Sequence, residues 1–97
     1  MEVPALPSGI ELVQLERGES VREEAIRRAR DGAAEGTFVV VESPARAHGR
    51  HDREWLLPDD PGLHGAFVLR PDLPAEECVE LATVAGVAIG AAVSEFV

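Results

Sequence analysis

The residues most capable of chemistry lie between positions 45 and 70. This basic stretch holds four of the nine arginines and all three histidines of a chain whose net charge is -9. Guanidinium groups bind carboxylates and phosphates through paired hydrogen bonds. The stretch therefore predicts a long loop that binds an anion. The alternative is a solvated loop whose arginines pair with neighbouring carboxylates.

A metal site was weighed for the same stretch. Its candidate ligands are His48, His51, Asp52 and His64. Their spacing resembles no known ligand set, and histidines grouped in one loop more often face solvent. No metal ligand is predicted, and the Asp59-Asp60 pair, flanked by prolines, is interpreted as part of a turn.

The sequence context of the serines and of the cysteine does not indicate nucleophilic catalysis. None of the serines at positions 8, 20, 43 and 94 lies in a nucleophile-elbow context. The single cysteine, Cys78, falls in an apolar helical pattern and is interpreted as a packed thiol. We therefore predict no catalytic residue within the chain.

Composition narrows the class of protein. The 97 residues are 45% hydrophobic but only 4% aromatic, which predicts one small domain with an aliphatic core. The acidic net charge argues against nucleic acid and anionic membranes as partners. One cysteine, no signal peptide and no apolar run long enough to span a bilayer lead us to expect a cytoplasmic protein.

The first half of the chain predicts a strand, a helix and a second strand. Residues 1–8 are expected to form an irregular arm, and residues 9–97 the domain itself. A strand is predicted over residues 10–16. Ser20 and Glu23 have capping-box spacing, so a helix should begin at Ser20 and end near Gly32.

The second half predicts an antiparallel pair of strands and an unusual helix. Residues 38–41 are four consecutive apolar residues, typical of a strand covered on both faces. Residues 63–69 should pair with them, with the basic stretch as an exceptionally long connection.

The last helix is predicted over residues 74–94. It is apolar on every side beyond Glu80, so it should be buried all round and needs more cover than this chain provides. We therefore expect a partner, most simply a second copy that forms a homodimer, or else a partner polypeptide. The predicted fold class is α+β, with the order β-α-β-β-α and a small mixed or antiparallel sheet.

Four segments resemble the biotin protein ligases of the biotin/lipoate ligase superfamily. They are SVR at residues 20–22, GTFVVV at 36–41, AHGRHDREW at 47–55 and FVLRPDLP at 67–74. The resemblance covers about residues 18–97 and implies the N-terminal part of the catalytic domain, truncated. The implied fold is a half-domain of the class II aminoacyl-tRNA synthetase and biotin ligase type.

The resemblance also implies a ligand site. In the family, the glycine/arginine loop closes over biotin and the adenylate phosphate. The positions implied to bind the ligand here are Ser20, Arg46, His48, Gly49, Arg50, Arg53 and Trp55. The implied ligand is biotin, lipoate or an acyl-adenylate.

Several positions depart from the family pattern. Val21 and Arg22 stand in place of threonine and asparagine, His48 in place of arginine, and Ala47 and Asp52 in place of glycines. Asp52 puts negative charge where a phosphate would sit. The family's catalytic lysine segment has no counterpart, because the sequence contains no lysine. We expect a domain that does not catalyse ligation alone. It would bind an acyl ligand or form half of a site; the alternative is a homodimeric interaction module that keeps only the fold.

Overall fold

A computed structural model describes residues 6–58 and 62–97, without the side chain of Arg50. The first five residues of the predicted arm and the predicted turn at Asp59-Asp60 lie outside the described residues. The main elements follow in chain order. They are β1 (Glu11–Gly18), α1 (Val21–Arg30), β2 (Thr37–Pro44), β3 (Ala47–His48), β4 (Glu54–Trp55), β5 (Gly65–Phe67) and α2 (Glu80–Val93).

The main sheet has three strands in the order β1-β2-β5. β1 runs parallel to β2, with Val13 opposite Val39, because α1 provides the crossover that a parallel connection requires. β5 runs antiparallel to β2, with Phe67 opposite Phe38. The predicted α+β fold with a small mixed sheet and two helices is confirmed.

The middle strand carries the core. Val39, Val40 and Val41 are completely buried, as four consecutive apolar residues predicted. Val39 and Val41 form the core cluster with Ala25 of α1. β2 is therefore the rigid element on which the neighbouring helix and loop are placed.

Helix α1 begins directly after Ser20, as the capping-box spacing predicted. Ser20 is extended, and its Oγ accepts a hydrogen bond from the Glu23 amide at 3.1 Å. After the C-cap Asp31, Gly32 adopts a φ of +95°, a conformation that glycine adopts without the usual Cβ clash. Both ends of the helix are thus encoded locally.

Strand β5 is shorter than predicted, since it spans three residues rather than positions 63–69. Main-chain pairing continues beyond its ends, because the Val68 amide donates to Thr37 O at 2.8 Å and the Val41 amide donates to His64 O at 3.0 Å. A Cβ at Gly65 would lie 2.5 Å from the Phe38 ring. Glycine at this position therefore allows the ring to lie across the strand.

The last helix differs from its prediction. A 3-10 turn at Ala75–Glu77 precedes α2, which begins at Glu80 rather than near Pro74. None of the α2 residues is buried, and Val84, Val87 and Ile89 are each more than three-fifths exposed. The predicted burial all round is therefore wrong for this chain by itself. No helix in the described ranges has the length and apolarity needed to cross a membrane.

Candidate functional site

The basic stretch folds into a small hairpin that the sequence did not predict. β3 and β4 pair antiparallel, with Ala47 opposite Trp55 and His48 opposite Glu54. A tight turn at Arg50–Asp52 joins them, and the Gly49 amide donates to Arg53 O at 2.7 Å. We call residues 47–55 the β3–β4 hairpin. The hairpin therefore carries His48, Arg50, His51 and Arg53, whereas Arg46, His64 and Arg70 lie outside it.

Two residues of the hairpin turn have positive φ. His51 and Asp52 have φ values of 59° and 60°, which histidine and aspartate adopt more readily than most residues but less easily than glycine. The family resemblance implies a glycine at the position of Asp52, and a glycine would adopt this left-handed backbone without a Cβ clash.

Gly49 has a different reason to be glycine. A Cβ at this position would collide with the indole of Trp55 across the hairpin. The absence of a side chain at Gly49 thus determines where the Trp55 ring lies.

The hairpin, the start of α1 and the segment leading into β5 enclose a cleft of about 340 Å³. Its wall is apolar at Val21, Leu57 and Leu63 and polar at Ser20, Arg22 and His48. This mixture of apolar surface and a few polar groups is typical of small-molecule sites. The N-cap position of Ser20 ties one side of the cleft to the end of a helix.

The structure brings some of the predicted site residues together and separates others. Ser20, His48 and Trp55 line the cleft. Gly49, Arg53 and Trp55 line a neighbouring open depression of about 470 Å³, so Trp55 borders both. Arg46 instead points to two carboxylates, Glu19 at 4.0 Å and Glu54 at 3.9 Å. The side chain of Arg50 lies outside the described part of the structure.

Sequence reasoning missed the ion pair at the mouth of the cleft. Arg22 Nη2 lies 2.6 Å from Asp52 Oδ1, although the residues are 30 positions apart. The hydrogen bond from Arg22, reinforced by its charge, lowers the pKa of Asp52 below that of an ordinary aspartate. Only their opposite charges signalled the pair in the sequence, since each residue stands at a motif position as a departure from the pattern.

Two buried nitrogens of this cluster lack a hydrogen-bond partner among the described residues. They are Arg22 Nε and His48 Nδ1. His48 Nδ1 lies 3.5 Å from Asp52 Oδ1, which is too far for a good hydrogen bond. The side chain of His48 is only 13% exposed. Buried polar groups without partners are uncommon and call for an explanation.

The four residues weighed as metal ligands do not form a ligand set here. Within residues 6–58 and 62–97, no group of three or more histidine, cysteine, aspartate or glutamate side chains is placed to hold a metal ion. His48 contacts Asp52, as described above, and His64 lines the cleft. His48 and His64 therefore belong to the lining of the cleft.

The fold and the cleft together define a small α+β protein with a ligand-sized cleft under a glycine/arginine hairpin. The bifunctional ligase/repressor BirA of Bacillus spizizenii is 33% identical to this chain over 70 residues. BirA of Bacillus subtilis strain 168 is 32% identical over 76 residues. The chain therefore contains a biotin protein ligase-like region.

The match covers most of this chain but only a small part of each relative. The matched residues are 72% and 78% of this chain but 22% and 23% of the two relatives. The chain thus spans less than a quarter of the length of these curated relatives. No protein-family model matches the sequence.

Proposed function

We propose that this chain is a biotin ligase-like domain that binds a biotin- or lipoate-type acyl ligand, or its adenylate, in the cleft beneath the β3–β4 hairpin. The observation that carries the proposal is the convergence of Ser20, His48 and Trp55 on one cleft. These residues come from the helix cap, β3 and β4, and the family resemblance implies that all of them bind the ligand.

The dimensions and chemistry of the cleft support an acyl head group as the part that enters it. About 340 Å³ lies at the small end of the range for ligand pockets. The apolar wall of Val21, Leu57 and Leu63 suits a ring or an aliphatic tail. The neighbouring depression, which shares Trp55 and contains Arg53, would receive the more polar part of an adenylate.

We propose that these residues do not catalyse ligation alone. Activation of a carboxylate develops negative charge, which the family neutralises with a lysine ammonium. The 97 residues contain no lysine. Binding without turnover, or formation of half of a site with a partner polypeptide, follows from that composition.

Calorimetry tests the binding proposal. Biotin, lipoate and a non-hydrolysable adenylate of each are titrated into the wild-type chain, and at least one should release heat. The Arg53→Gln and Arg50→Ala substitutions should weaken adenylate binding. Arg28→Gln removes an equivalent charge from an exposed position on α1 and should change nothing. If none of the ligands gives heat, the binding proposal is wrong.

A second function is favoured by the exposed surface of α2. Its side chains from position 81 to 94 are all uncharged, and Val84, Val87 and Ile89 are exposed. In an acidic chain, this helix is the surface on which two copies can meet with the least charge repulsion. We therefore propose a homodimeric interaction module as the alternative.

Sedimentation velocity tests the alternative. The wild-type chain should sediment as a concentration-dependent dimer, and Val87→Asp should convert it to a monomer by placing a charge in the apolar contact. Ala85→Asp adds the same charge to the side of the helix opposite Val87 and should have the smaller effect. A wild-type chain that remains monomeric at every concentration excludes the dimer.

A further inference from the structure

Three charged or titratable side chains from separate elements meet in one place. Arg22 lies on α1, His48 on β3 and Asp52 in the hairpin turn. Asp52 Oδ1 lies 2.6 Å from Arg22 Nη2 and 3.5 Å from His48 Nδ1. These side chains therefore form one ionic cluster at the edge of the cleft.

Asp52 leaves two nitrogens of the cluster without a hydrogen-bond partner. Arg22 Nε and His48 Nδ1 are both buried and lack partners among the described residues. Arg22 and His48 also line the cleft. Departure of Asp52 would release Nη2 of Arg22, and the Nε–Nη2 edge of the guanidinium could then make the paired hydrogen bonds that it forms with carboxylates and phosphates.

We propose that Arg22 and His48 form an anion-binding pair for a phosphate or carboxylate group of the cleft ligand, and that Asp52 is an internal anion which that group displaces. The inference rests on the proposed use of the cleft for a ligand. It adds an anion contact between the first turn of α1 and His48 of the hairpin to the one that Arg53 would offer in the neighbouring depression.

Asp52 is suited to the role of an internal competitor. Its side chain is mostly exposed, so it can swing into water without passing through the core. Its contact with Arg22 is a single hydrogen bond between two partly exposed side chains, which is a weak interaction in water. While Asp52 holds Arg22, only a fraction of molecules can accept another anion, and the measured affinity falls by that fraction.

Titration of two simple anions tests the proposal. Inorganic phosphate and acetate are each titrated into the full chain at constant ionic strength, with chloride as the balancing anion. Calorimetry gives the affinity, and the fluorescence of Trp55, the sole tryptophan of the sequence, reports on the cleft. Asp52→Asn should bind at least one of the two anions about tenfold more tightly than the wild-type chain. Adding Arg22→Gln to that variant should abolish the gain.

Matched controls separate displacement from a general effect of charge. Glu54→Gln removes one negative charge from the same hairpin, at a residue that contacts Arg46. It should leave both affinities within about twofold of the wild-type values, as for an exposed residue outside the pair. An equal gain in Glu54→Gln and Asp52→Asn, or no gain for either anion, overturns the proposal. Circular dichroism on each variant verifies that it is folded.

The anion pair and the acyl site can fail separately. If biotin or lipoate binds equally in the wild-type chain and in Arg22→Gln, and Asp52→Asn gains no anion affinity, the cleft is a ligand site without this anion pair. If phosphate or acetate gains affinity as expected but no acyl ligand binds, the pair is real and the acyl ligand is wrong. The anion titrations thus decide the further inference without a known acyl ligand.

Discussion

The Arg22 guanidinium and the Asp52 carboxylate, 2.6 Å apart, join the first turn of α1 to the turn of the β3–β4 hairpin. Both side chains retain solvent exposure, so the pair should add little to the stability of the whole chain. Its effect is local, because it holds the hairpin beside the N-terminal end of the helix. The cleft lies between the two elements that this contact joins.

Loss of the ion pair should loosen the hairpin without unfolding the chain. Asp52→Asn removes the charge that attracts Arg22, so the hairpin should open more often and trypsin should cleave after Arg50 or Arg53 several-fold faster. The thermal midpoint should hardly move. Peptide mapping by mass spectrometry gives the cleavage rates. Unchanged cleavage at both sites, or equal acceleration in Glu54→Gln, would show that the pair does not hold the hairpin.

The same pair gives the cluster a defined response to acid. Because Arg22 lowers the pKa of Asp52, the carboxylate stays charged as the pH falls through the range where an ordinary aspartate, with a pKa of about 3.9, is half protonated. The stabilising contact is therefore present above that range and is lost only when the pH falls through the lowered value. His48 and Glu23 also border the pair.

Carboxyl chemical shifts of Asp52 measured by NMR against pH check this response. The midpoint should be lower in the wild-type chain than in Arg22→Gln, which has lost the hydrogen bond. Arg28→Gln should leave the midpoint of Asp52 at the wild-type value. Equal midpoints in the wild-type chain and in Arg22→Gln would contradict the assigned cause.

Ser20 connects the fold to the site, because it caps α1 and lines the cleft. Ser20→Ala should lower the free energy of unfolding by about 1 kcal/mol, the usual cost of losing an N-cap side chain. Urea denaturation measures the change. Ser94→Ala removes an exposed hydroxyl near the end of α2 and should cost much less. Equal losses in the two variants would mean that the cap contributes nothing specific.

Much of the fold could be predicted because its signals are local. The capping residues of α1, the glycine after it and the run of buried valines each act over a few positions, and each has its expected role. The exposure of α2 could not be predicted in the same way. An apolar sequence indicates that a helix prefers to be covered, but what covers it depends on contacts that local sequence does not encode.

The site was less predictable because it depends on contacts between distant positions. Ser20, His48 and Trp55 could be named from motif positions, and they do line one cleft. The interaction of Arg22 with Asp52 could not, since 30 residues separate them and each looked like the loss of a functional side chain. The β3–β4 hairpin was missed for a similar reason, because two-residue strands leave no detectable alternation.

Gly49 should be intolerant of any side chain. Gly49→Ala places a methyl group where the indole of Trp55 lies, so the ring must move away from the hairpin. The emission maximum of the chain's tryptophan should shift. Gly86→Ala is the matched control, because a Cβ there meets nothing within 4 Å and alanine favours the helix. An identical emission spectrum in Gly49→Ala and the wild-type chain would show that the ring is not held by this contact.

A side chain of the central strand β2 should contribute more to the free energy of unfolding than a side chain of the exposed helix α2. Val41 is completely buried beside Val39 and Ala25, so Val41→Ala removes two methyl groups from the core and should lower the free energy of unfolding by about 2 kcal/mol. Val87→Ala makes the same chemical change on the exposed α2 and should cost less than about 0.5 kcal/mol. Urea denaturation of both variants at low protein concentration measures the difference. If Val87→Ala proves as costly as Val41→Ala, α2 is buried in solution, and the chain has a cover for this helix that α1 and the three-stranded sheet do not supply.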